Sequence, residues 1–424
     1  MFPPNGLRSS TALHDARRGT LGARRKKRTR RWLVAFVRSR TLNCATHRGE
    51  KTMKSRIHRL EDLGQSVWLD FLDRKLLTSG ELEQLISEGL RGMTSNPTIF
   101  QKAISGSSDY DTAIRSAAAS ESDASVLERL MVRDLTLACD KLRPVYDGSD
   151  GADGFASIEV APTLAGETAA SIEAASRLWG AVNRPNLMVK IPGTRAGLRA
   201  IESCLTHGIN INVTLLFSVS RYREIIEAHL RALEHRVSRG EPIDRIASVA
   251  SFFVSRVDTK VDKALDGLTV PGDALSLKGK IAIANAKLAF EEYETILASQ
   301  RWKTLADKGA RPARLLWAST STKNPAYPPL LYVEALIGPR TVDTVTPETF
   351  RTYTEQGQPE PRIRRDLGQA HAQMELLARH GIDFEEVAAQ LETEGVASFV
   401  DSFTKLLQCI ADKRRSFTSP PLRP

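Results

Sequence analysis

The sequence predicts an α/β fold, a (β/α)8 TIM barrel with additional helices in inserts and at the C-terminus. From residue 66 onward, eight short β-rich runs alternate with longer amphipathic stretches. Strands that alternate with helices are parallel, because a parallel pair needs a crossover connection. Eight such units over roughly 300 residues suit a closed barrel. The alternative is a doubly wound open sheet, which is disfavoured because no G-x-G-x-x-G follows the first run.

The candidate strands are short runs rich in apolar and β-branched residues. In chain order they are S-V-W-L-D-F (66–71), G-M-T-S-N-P (92–97), G-F-A-S-I-E-V (154–160), N-L-M-V-K-I-P (186–192), N-I-N-V-T-L-L-F (210–217), I-A-S-V-A-S-F-F-V (246–254), A-R-L-L-W-A-S-T (313–320) and T-V-D-T-V-T (341–346).

The candidate helices show apolar residues at positions i, i+3 and i+4, which is typical of one buried helical face. The first of them, 79–90, opens on a serine that we expect to cap it. Two inserts, 98–153 and 258–312, also contain helical patterns. The remaining predicted helices are 126–139, 166–179, 219–233 and 281–293, followed after a linker at 356–361 by segments near 362–380, 384–394 and 396–412.

Composition excludes several classes of protein. Of the 424 residues, 41% are hydrophobic and 26% are charged, which is ordinary for a soluble protein. No run of 18 apolar residues occurs, so we expect no membrane-spanning helix. The four cysteines are widely spaced and form no C-x-x-C pair. This pattern argues against a disulfide scaffold and a zinc site, and it suits the reducing cytoplasm, where we expect the protein to act.

The basic charge belongs to the first part of the chain. Residues 1–53 hold 14 Lys or Arg and two acids, whereas the remainder holds 46 basic and 48 acidic residues. The leader contains R-R-K-K-R-T-R-R (24–31), which fits a nucleic-acid arm, a transit peptide or a twin-arginine signal. The other interpretation is a start-site artefact, because Met53 opens a plausible natural beginning. We expect 1–52 to be a leader, disordered or artefactual, and 53–424 to be the barrel domain with its C-terminal helices.

Polar side chains cluster at the carboxyl ends of the predicted strands, where barrels of this kind carry their active sites. Singly, each has a plainer explanation, since Asp or Asn often caps the next helix and Thr favours strands. A closed barrel, however, makes these ends converge. The candidates are Asp70, Thr94, Asn96, Glu159, Lys190, Asn212, Thr214, Ser251, Arg256 and Ser319.

Lys190 is the most informative candidate, because lysine is almost never buried without a reason. Burial disfavours the charged form of an amine, and a neutral amine attacks carbonyl carbons to form a Schiff base. The required proton transfers could use the carboxylates of Asp70 and Glu159. The alternative is a structural lysine that reaches out of the strand end toward a helix or loop.

Several motifs together resemble the transaldolase family over about residues 60–410. They are L-G-Q-S-V-W-L-D-F, M-T-S-N-P-T-I-F, S-I-E-V, N-L-M-V-K-I-P-G-T and G-I-N-I-N-V-T-L-L-F-S. The resemblance implies a (β/α)8 barrel and a class I, Schiff-base mechanism with no metal and no organic cofactor.

The resemblance also implies residue roles. Lys190 matches the Schiff-base lysine, and Glu159 matches an acid/base glutamate acting through a water that Thr214 also holds. Asp70 matches the aspartate that accepts a hydroxyl proton during carbon–carbon cleavage. The implied substrate-binding residues are Thr94, Asn96, Asn212, Ser251, Arg256, Ser319 and Lys323.

Two positions depart from the family pattern. Many members have Ser-Pro-Phe on strand six, where this chain has Ser251-Phe252-Phe253. Many also carry a second phosphate-binding arginine, where this chain has Ser321. Lys323 is the expected substitute, acting as a point charge.

The expected function is therefore that of a transaldolase of the pentose phosphate pathway. It would transfer a dihydroxyacetone unit from sedoheptulose 7-phosphate to glyceraldehyde 3-phosphate. The alternatives are a fructose 6-phosphate aldolase of the same superfamily and a non-catalytic sugar-phosphate-binding barrel. The expected partners are sugar phosphates, with no membrane and no nucleic acid, since the body is near neutral and a nucleic-acid domain usually carries its own basic face. Homo-oligomer formation stays open.

Overall fold

The computed structural model describes residues 55–270 and 272–418. Eight parallel strands close into a barrel in chain order, with the last strand pairing back onto the first. They are β1 (Gln65–Asp70), β2 (Leu90–Thr94), β3 (Phe155–Glu159), β4 (Leu187–Pro192), β5 (Ile211–Leu216), β6 (Ser248–Phe253), β7 (Arg314–Ala318) and β8 (Thr341–Val345). The predicted (β/α)8 barrel is confirmed, and each strand begins within two residues of its predicted start.

Helices cover the outside of the barrel and provide the crossovers that parallel strands require. Those of the first half are α1 (Arg56–Asp62), α2 (Arg74–Thr78), α3 (Glu81–Ser87), α4 (Pro97–Ser105), α5 (Asp111–Arg115), α6 (Asp123–Gly148), α7 (Thr168–Val182) and α8 (Arg195–Thr206). Those of the second half are α9 (Val219–Ser238), α10 (Ser255–Asp266), α11 (Ile281–Ala298), α12 (Gln300–Ala306), α13 (Leu331–Ala335), α14 (Pro347–Gln356), α15 (Leu367–Arg379) and α16 (Phe384–Thr418).

The strands are buried on both faces, as expected for a parallel sheet covered by helices. On the outer face, the ring of Phe252 lies edge-on to Trp317 of β7 and to Tyr222 of α9, with centroids 6.2 and 6.4 Å away. Every residue of β4 and β5 is buried, although both strands carry polar side chains. Two of their polar residues, Lys190 and Thr214, line a cavity of the barrel.

Two helix predictions need correction. The 79–90 stretch is the shorter helix α3, whose N-cap is Gly80 at φ +89°, while Ser79 only accepts a hydrogen bond from the Glu81 amide, 3.3 Å away. A left-handed φ suits glycine better than serine at that point. The segments predicted at 384–394 and 396–412 form the single helix α16, which continues through Gly395.

Helix α16 crosses the carboxyl end of the barrel and is attached on both sides of it. The hydroxyl of Ser402 is hydrogen-bonded to that of Thr98 in α4, 2.8 Å away. On the other side, Lys260 of α10 forms an ion pair with Glu394 of α16 at 2.6 Å. Because α4 follows β2 and α10 follows β6, α16 spans the mouth of the barrel.

Some sequence predictions concern residues outside this description. The predicted leader, residues 1–52, is one of them. Within the described part of the chain, no helix combines the length and apolar character that crossing a membrane requires. There, Cys139, Cys204 and Cys409 are free thiols.

Candidate active site

A cavity of about 400 Å³ opens at the carboxyl ends of the strands, the end at which TIM barrels bind their substrates. Most of the predicted site residues line it: Asp70, Thr94, Asn96, Lys190, Thr214, Ser251, Arg256 and Ser319. Glu159 and Asn212 are buried next to Lys190 in the barrel wall. Lys323 lines an adjoining cavity that it shares with Arg256. The barrel thus brings the whole predicted set to one end.

Lys190 lies on β4 between Glu159 of β3 and Asn212 of β5, its partners in the sheet register. The side chain is only 5% exposed. Its Nζ donates a hydrogen bond to the backbone oxygen of Ser95 at 3.0 Å and lies 3.5 Å from Glu159 Oε2. The amine therefore lies inside the barrel beside an acid, and its hydrogen bond to the loop after β2 is also a contact that the structural interpretation allows.

Glu159 is a buried carboxyl group with an unusual titration. Burial raises the pKa of Glu159 from 4.5 to about 7, and the positive charge of Lys190 opposes this rise. Neither carboxylate oxygen accepts a hydrogen bond from another described residue. A carboxyl group with a pKa near neutrality can both donate and accept protons at physiological pH, as a general acid–base catalyst must.

Thr214 faces the same cavity from β5. Its Oγ1 is buried and, within the described residues, has no hydrogen-bond partner. Buried hydroxyl and carboxyl oxygens that lack protein partners are usually bridged by water. Glu159 and Thr214 therefore each offer buried oxygens to which a water molecule can bind.

Asp70 ends β1, pairs with Thr94 of β2 in the sheet and is partly exposed to the cavity. Burial raises its pKa, while the positive charges of Lys190, Arg256 and Lys323 lower it. The net effect is a raised pKa of Asp70, because burial outweighs the three positive charges. Among the described residues, no three His, Cys, Asp or Glu side chains come together as metal ligands would.

A line of hydrogen bonds fixes the polar wall next to Lys190. Asn212 Nδ2 donates to Ser157 Oγ at 3.1 Å, and Ser251 Oγ donates to Asn212 Oδ1 at 2.7 Å. Asn96 accepts a hydrogen bond from the Ile99 amide at 3.0 Å and so caps α4, as well as lining the cavity. The capping explanation and the site explanation therefore both apply to Asn96.

The far end of the cavity is cationic. The guanidinium of Arg256, at the start of α10, lies 5.1 Å from the ring centre of Phe253 and 5.9 Å from that of Phe399. No other described residue is hydrogen-bonded to it, so its donors remain available for an anion. Ser319, at φ +60°, turns the chain here and its hydroxyl is hydrogen-bonded to Ser255 at 3.0 Å.

The site combines an amine paired with an acid, a second carboxyl group and a free arginine. This combination suits carbonyl chemistry on a phosphorylated sugar. Comparison with known proteins is consistent with this geometry. Residues 67–410 match the sequence model of the family described as Transaldolase/Fructose-6-phosphate aldolase. The chain belongs to this family.

Curated proteins of the transaldolase family match this chain over almost their whole length. A protein named Transaldolase from Trichodesmium erythraeum is 45% identical over 370 residues, 85% of this chain and 97% of its own. Another protein of that name, from Acidothermus cellulolyticus, is 47% identical over 354 residues, 83% and 95% of the two chains. Transaldolase 2 of Nostoc punctiforme is 43% identical over 366 residues, 84% and 96% of the two chains.

Three contributors to the site of this transaldolase-family chain were missed in the sequence. Ser157 lies two residues before Glu159 on β3, and period-two alternation could have revealed it. Ser95 contributes only its backbone oxygen, which carries no sequence signal. Phe399 comes from α16, and nothing local in the sequence indicates that this helix reaches the cavity.

Proposed function

We propose that this protein acts as a transaldolase of the pentose phosphate pathway. It transfers a three-carbon dihydroxyacetone unit from sedoheptulose 7-phosphate to glyceraldehyde 3-phosphate, giving erythrose 4-phosphate and fructose 6-phosphate. One observation carries the proposal: the buried Lys190 amine lies 3.5 Å from Glu159 in a cavity that also contains Asp70. The names of the curated relatives support the same activity.

The first half of the reaction attaches the ketose to the enzyme. The neutral amine of Lys190 attacks the ketose carbonyl carbon and gives a carbinolamine, which loses water to form the Schiff base. Both steps need a proton delivered to, or removed from, the former carbonyl oxygen. Glu159 supplies and accepts this proton through a water held jointly with Thr214, because its pKa of about 7 suits both directions.

The second half breaks and remakes a carbon–carbon bond. Asp70 accepts the proton of the substrate hydroxyl next to that bond, the bond breaks, and its electron pair passes into the Schiff base to give an enamine. The aldose product leaves as the new carbonyl forms. The enamine then attacks the acceptor aldehyde, Asp70 returns the proton, and hydrolysis releases the ketose product from Lys190.

The remaining residues bind substrate in this proposal. Arg256 holds the phosphate with its planar fork of donors, and Lys323 adds a point charge from the adjoining cavity. The side chains that would bind sugar hydroxyls are Thr94, Asn96, Asn212, Ser251 and Ser319.

A product assay separates transaldolase activity from the rival aldolase activity, which the family description also covers. With fructose 6-phosphate and erythrose 4-phosphate as substrates, we expect sedoheptulose 7-phosphate and glyceraldehyde 3-phosphate. Accumulation of free dihydroxyacetone from fructose 6-phosphate alone, at a comparable rate, would instead indicate the aldolase. No turnover of either kind would overturn the proposed function.

Arg256→Ala is expected to raise KM for phosphorylated sugars by about 10- to 100-fold, because one charge-assisted hydrogen bond contributes about 1.5–3 kcal/mol. Turnover of an unphosphorylated ketose should change far less, because such a substrate has no phosphate for Arg256 to bind. Steady-state kinetics on fructose 6-phosphate and fructose provide the comparison.

The unphosphorylated substrate is the essential control, because Arg256 also lowers the pKa of Asp70. Lys323→Ala serves as a companion and should show a smaller increase in KM. Equal losses on both substrates would assign Arg256 a structural role and contradict phosphate binding.

Glu159→Gln is expected to slow Schiff-base formation by on the order of 10²–10⁴, the usual contribution of a general acid–base group. Lys190 stays in place in this variant, so borohydride should still trap an adduct, only more slowly than in the wild type. Trapping at the wild-type rate would remove Glu159 from the proton relay.

The same variant also has a signature in stability. Burial raises the folded-state pKa of Glu159 to about 7, so between pH 4.5 and 7 the folded protein keeps a proton that the unfolded chain has released. The contribution of the Glu159 carboxyl group to the free energy of unfolding is greatest below pH 4.5 and is lost as the pH rises through 7. Urea unfolding of both proteins at pH 5 and pH 8 should therefore show the wild type losing stability relative to Glu159→Gln at the higher pH. If the difference in stability between the two proteins were the same at pH 5 and pH 8, the raised pKa of Glu159 would be contradicted.

A further inference from the structure

Strand β5 contains a β-bulge in the middle of the site. Val213 pairs with Ala250 and Leu216 pairs with Phe252. Two residues of β5, Thr214 and Leu215, therefore face a single residue of β6. A bulge of this kind re-aims the side chains around it, and bulges occur preferentially beside active sites.

Leu215 is the residue that makes the bulge, and its backbone is strained. Its φ is +60°, in the left-handed region, yet its side chain is large and 1% exposed. For an L-residue other than glycine this conformation costs roughly 1–2 kcal/mol. Such strain persists only where the surrounding structure over-determines it. Something packed on Leu215 must therefore hold it.

Helix α16 supplies that contact through Gly395. A Cβ atom built at Gly395 would lie 2.9 Å from Cδ2 of Leu215, closer than such atoms approach one another. A glycine inside a helix costs about 0.5–1 kcal/mol relative to alanine. Here the missing side chain lets the helix backbone rest directly on Leu215. The helix has little freedom to retreat, because Glu394 and Ser402 attach it to α10 and α4.

We propose that Leu215 and Gly395 are positioning residues, which hold the bulge of β5 so that the Thr214 hydroxyl points into the cavity beside Glu159 and Lys190. This inference rests on the proposed function, in which Thr214 helps to hold the relay water. It gives α16, a helix remote in sequence, a specific part in the first half of the reaction. Thr214 is the residue directly before Leu215, and its Oγ1 has no protein partner among the described residues to fix its direction.

Gly395→Ala tests the proposal, with the rate of borohydride-trapped adduct formation as the readout. The added methyl group would overlap the end of the Leu215 side chain, which must shift. If that shift is passed on to Thr214, adduct formation should slow on the order of 10-fold, because small misplacements near reacting groups have large kinetic effects. KM for phosphorylated sugars should stay near the wild-type value. The nearest Arg256 atom would be 3.6 Å from the new Cβ, an ordinary contact.

The matched control is Gly368→Ala in α15, where a Cβ would meet no heavy atom within 4 Å. This variant should keep the wild-type rate and unfold at an equal or higher temperature. Thr214→Val is the benchmark, since it removes the hydroxyl itself. The double variant Thr214→Val/Gly395→Ala should be no slower than Thr214→Val, because both changes act on the same group.

Leu215→Ala provides a second route if Gly395→Ala does not fold. Alanine keeps the cost of the left-handed conformation but loses the contact with α16, so adduct formation should again slow without an increase in KM. A wild-type rate of adduct formation in these variants would overturn the inference. A double variant that is slower than Thr214→Val by the full loss seen in Gly395→Ala would overturn it as well. A Thr214→Val protein that forms adduct at the wild-type rate would overturn it too. A wild-type protein that forms no adduct would instead refute the proposed function.

Discussion

Lys190→Ala is expected to abolish turnover and to leave no adduct that borohydride can trap. The reaction depends on a covalent bond between substrate and amine, and among the described lysines Lys190 is the one that forms an ion pair with Glu159. Loss of the nucleophile should therefore reduce activity to background in the product assay. The fold should survive, because burial already favours the neutral form of the remaining Glu159 carboxyl.

Lys287 offers a matched control for Lys190→Ala. It is also a buried lysine, 9% exposed, but it lies on α11 and donates to the backbone oxygen of Arg365 at 2.6 Å. Lys287→Met should keep the adduct and most of the activity. Lys190→Met, which preserves side-chain volume, should be as inactive as Lys190→Ala. Turnover in either Lys190 variant would show that the amine is not the nucleophile.

Asp70→Asn is expected to form the Schiff base and then fail to cleave it. The amide cannot accept the hydroxyl proton, so carbon–carbon cleavage should slow by on the order of 10²–10⁴. The borohydride-trapped adduct should therefore be abundant while turnover is low. This combination differs from Glu159→Gln, in which the adduct itself appears slowly.

Asp73→Asn is the control for Asp70→Asn. Asp73 lies three residues further on and caps α2 by accepting a hydrogen bond from the Leu76 amide at 2.7 Å. Asparagine caps helices about as well as aspartate, so this variant should retain wild-type activity. Normal turnover in Asp70→Asn would contradict the role of Asp70, and a missing adduct would move that role to the first half of the reaction.

The sequence predicted the strands well because their signal is local. Each is a short apolar run between polar segments, and the crossover requirement then leaves few topologies. The C-terminal helix was harder to predict. Gly395 marked a break in the pattern, but the contact with Leu215 that explains this glycine joins residues 180 positions apart. A single sequence carries no record of such a contact.

Some features of the candidate site could likewise be predicted from the sequence, and others could not. Lys190 was predictable because a lysine within an apolar strand demands an explanation, and β3 and β5 place Glu159 and Asn212 on either side of it. The raised pKa of Glu159 and the left-handed Leu215 could not be predicted. Both arise from packing around the residue and not from its type.

Borohydride reduction with fructose 6-phosphate, followed by mass mapping of the modified peptide, tests the central claim most directly. The account predicts one reduced three-carbon or six-carbon adduct on the wild-type protein, attached at Lys190. It predicts the same site in Lys287→Met and no adduct in Lys190→Ala. A modified lysine elsewhere in the chain, or an unmodified wild-type protein that still turns over substrate, would contradict the Schiff-base role of Lys190.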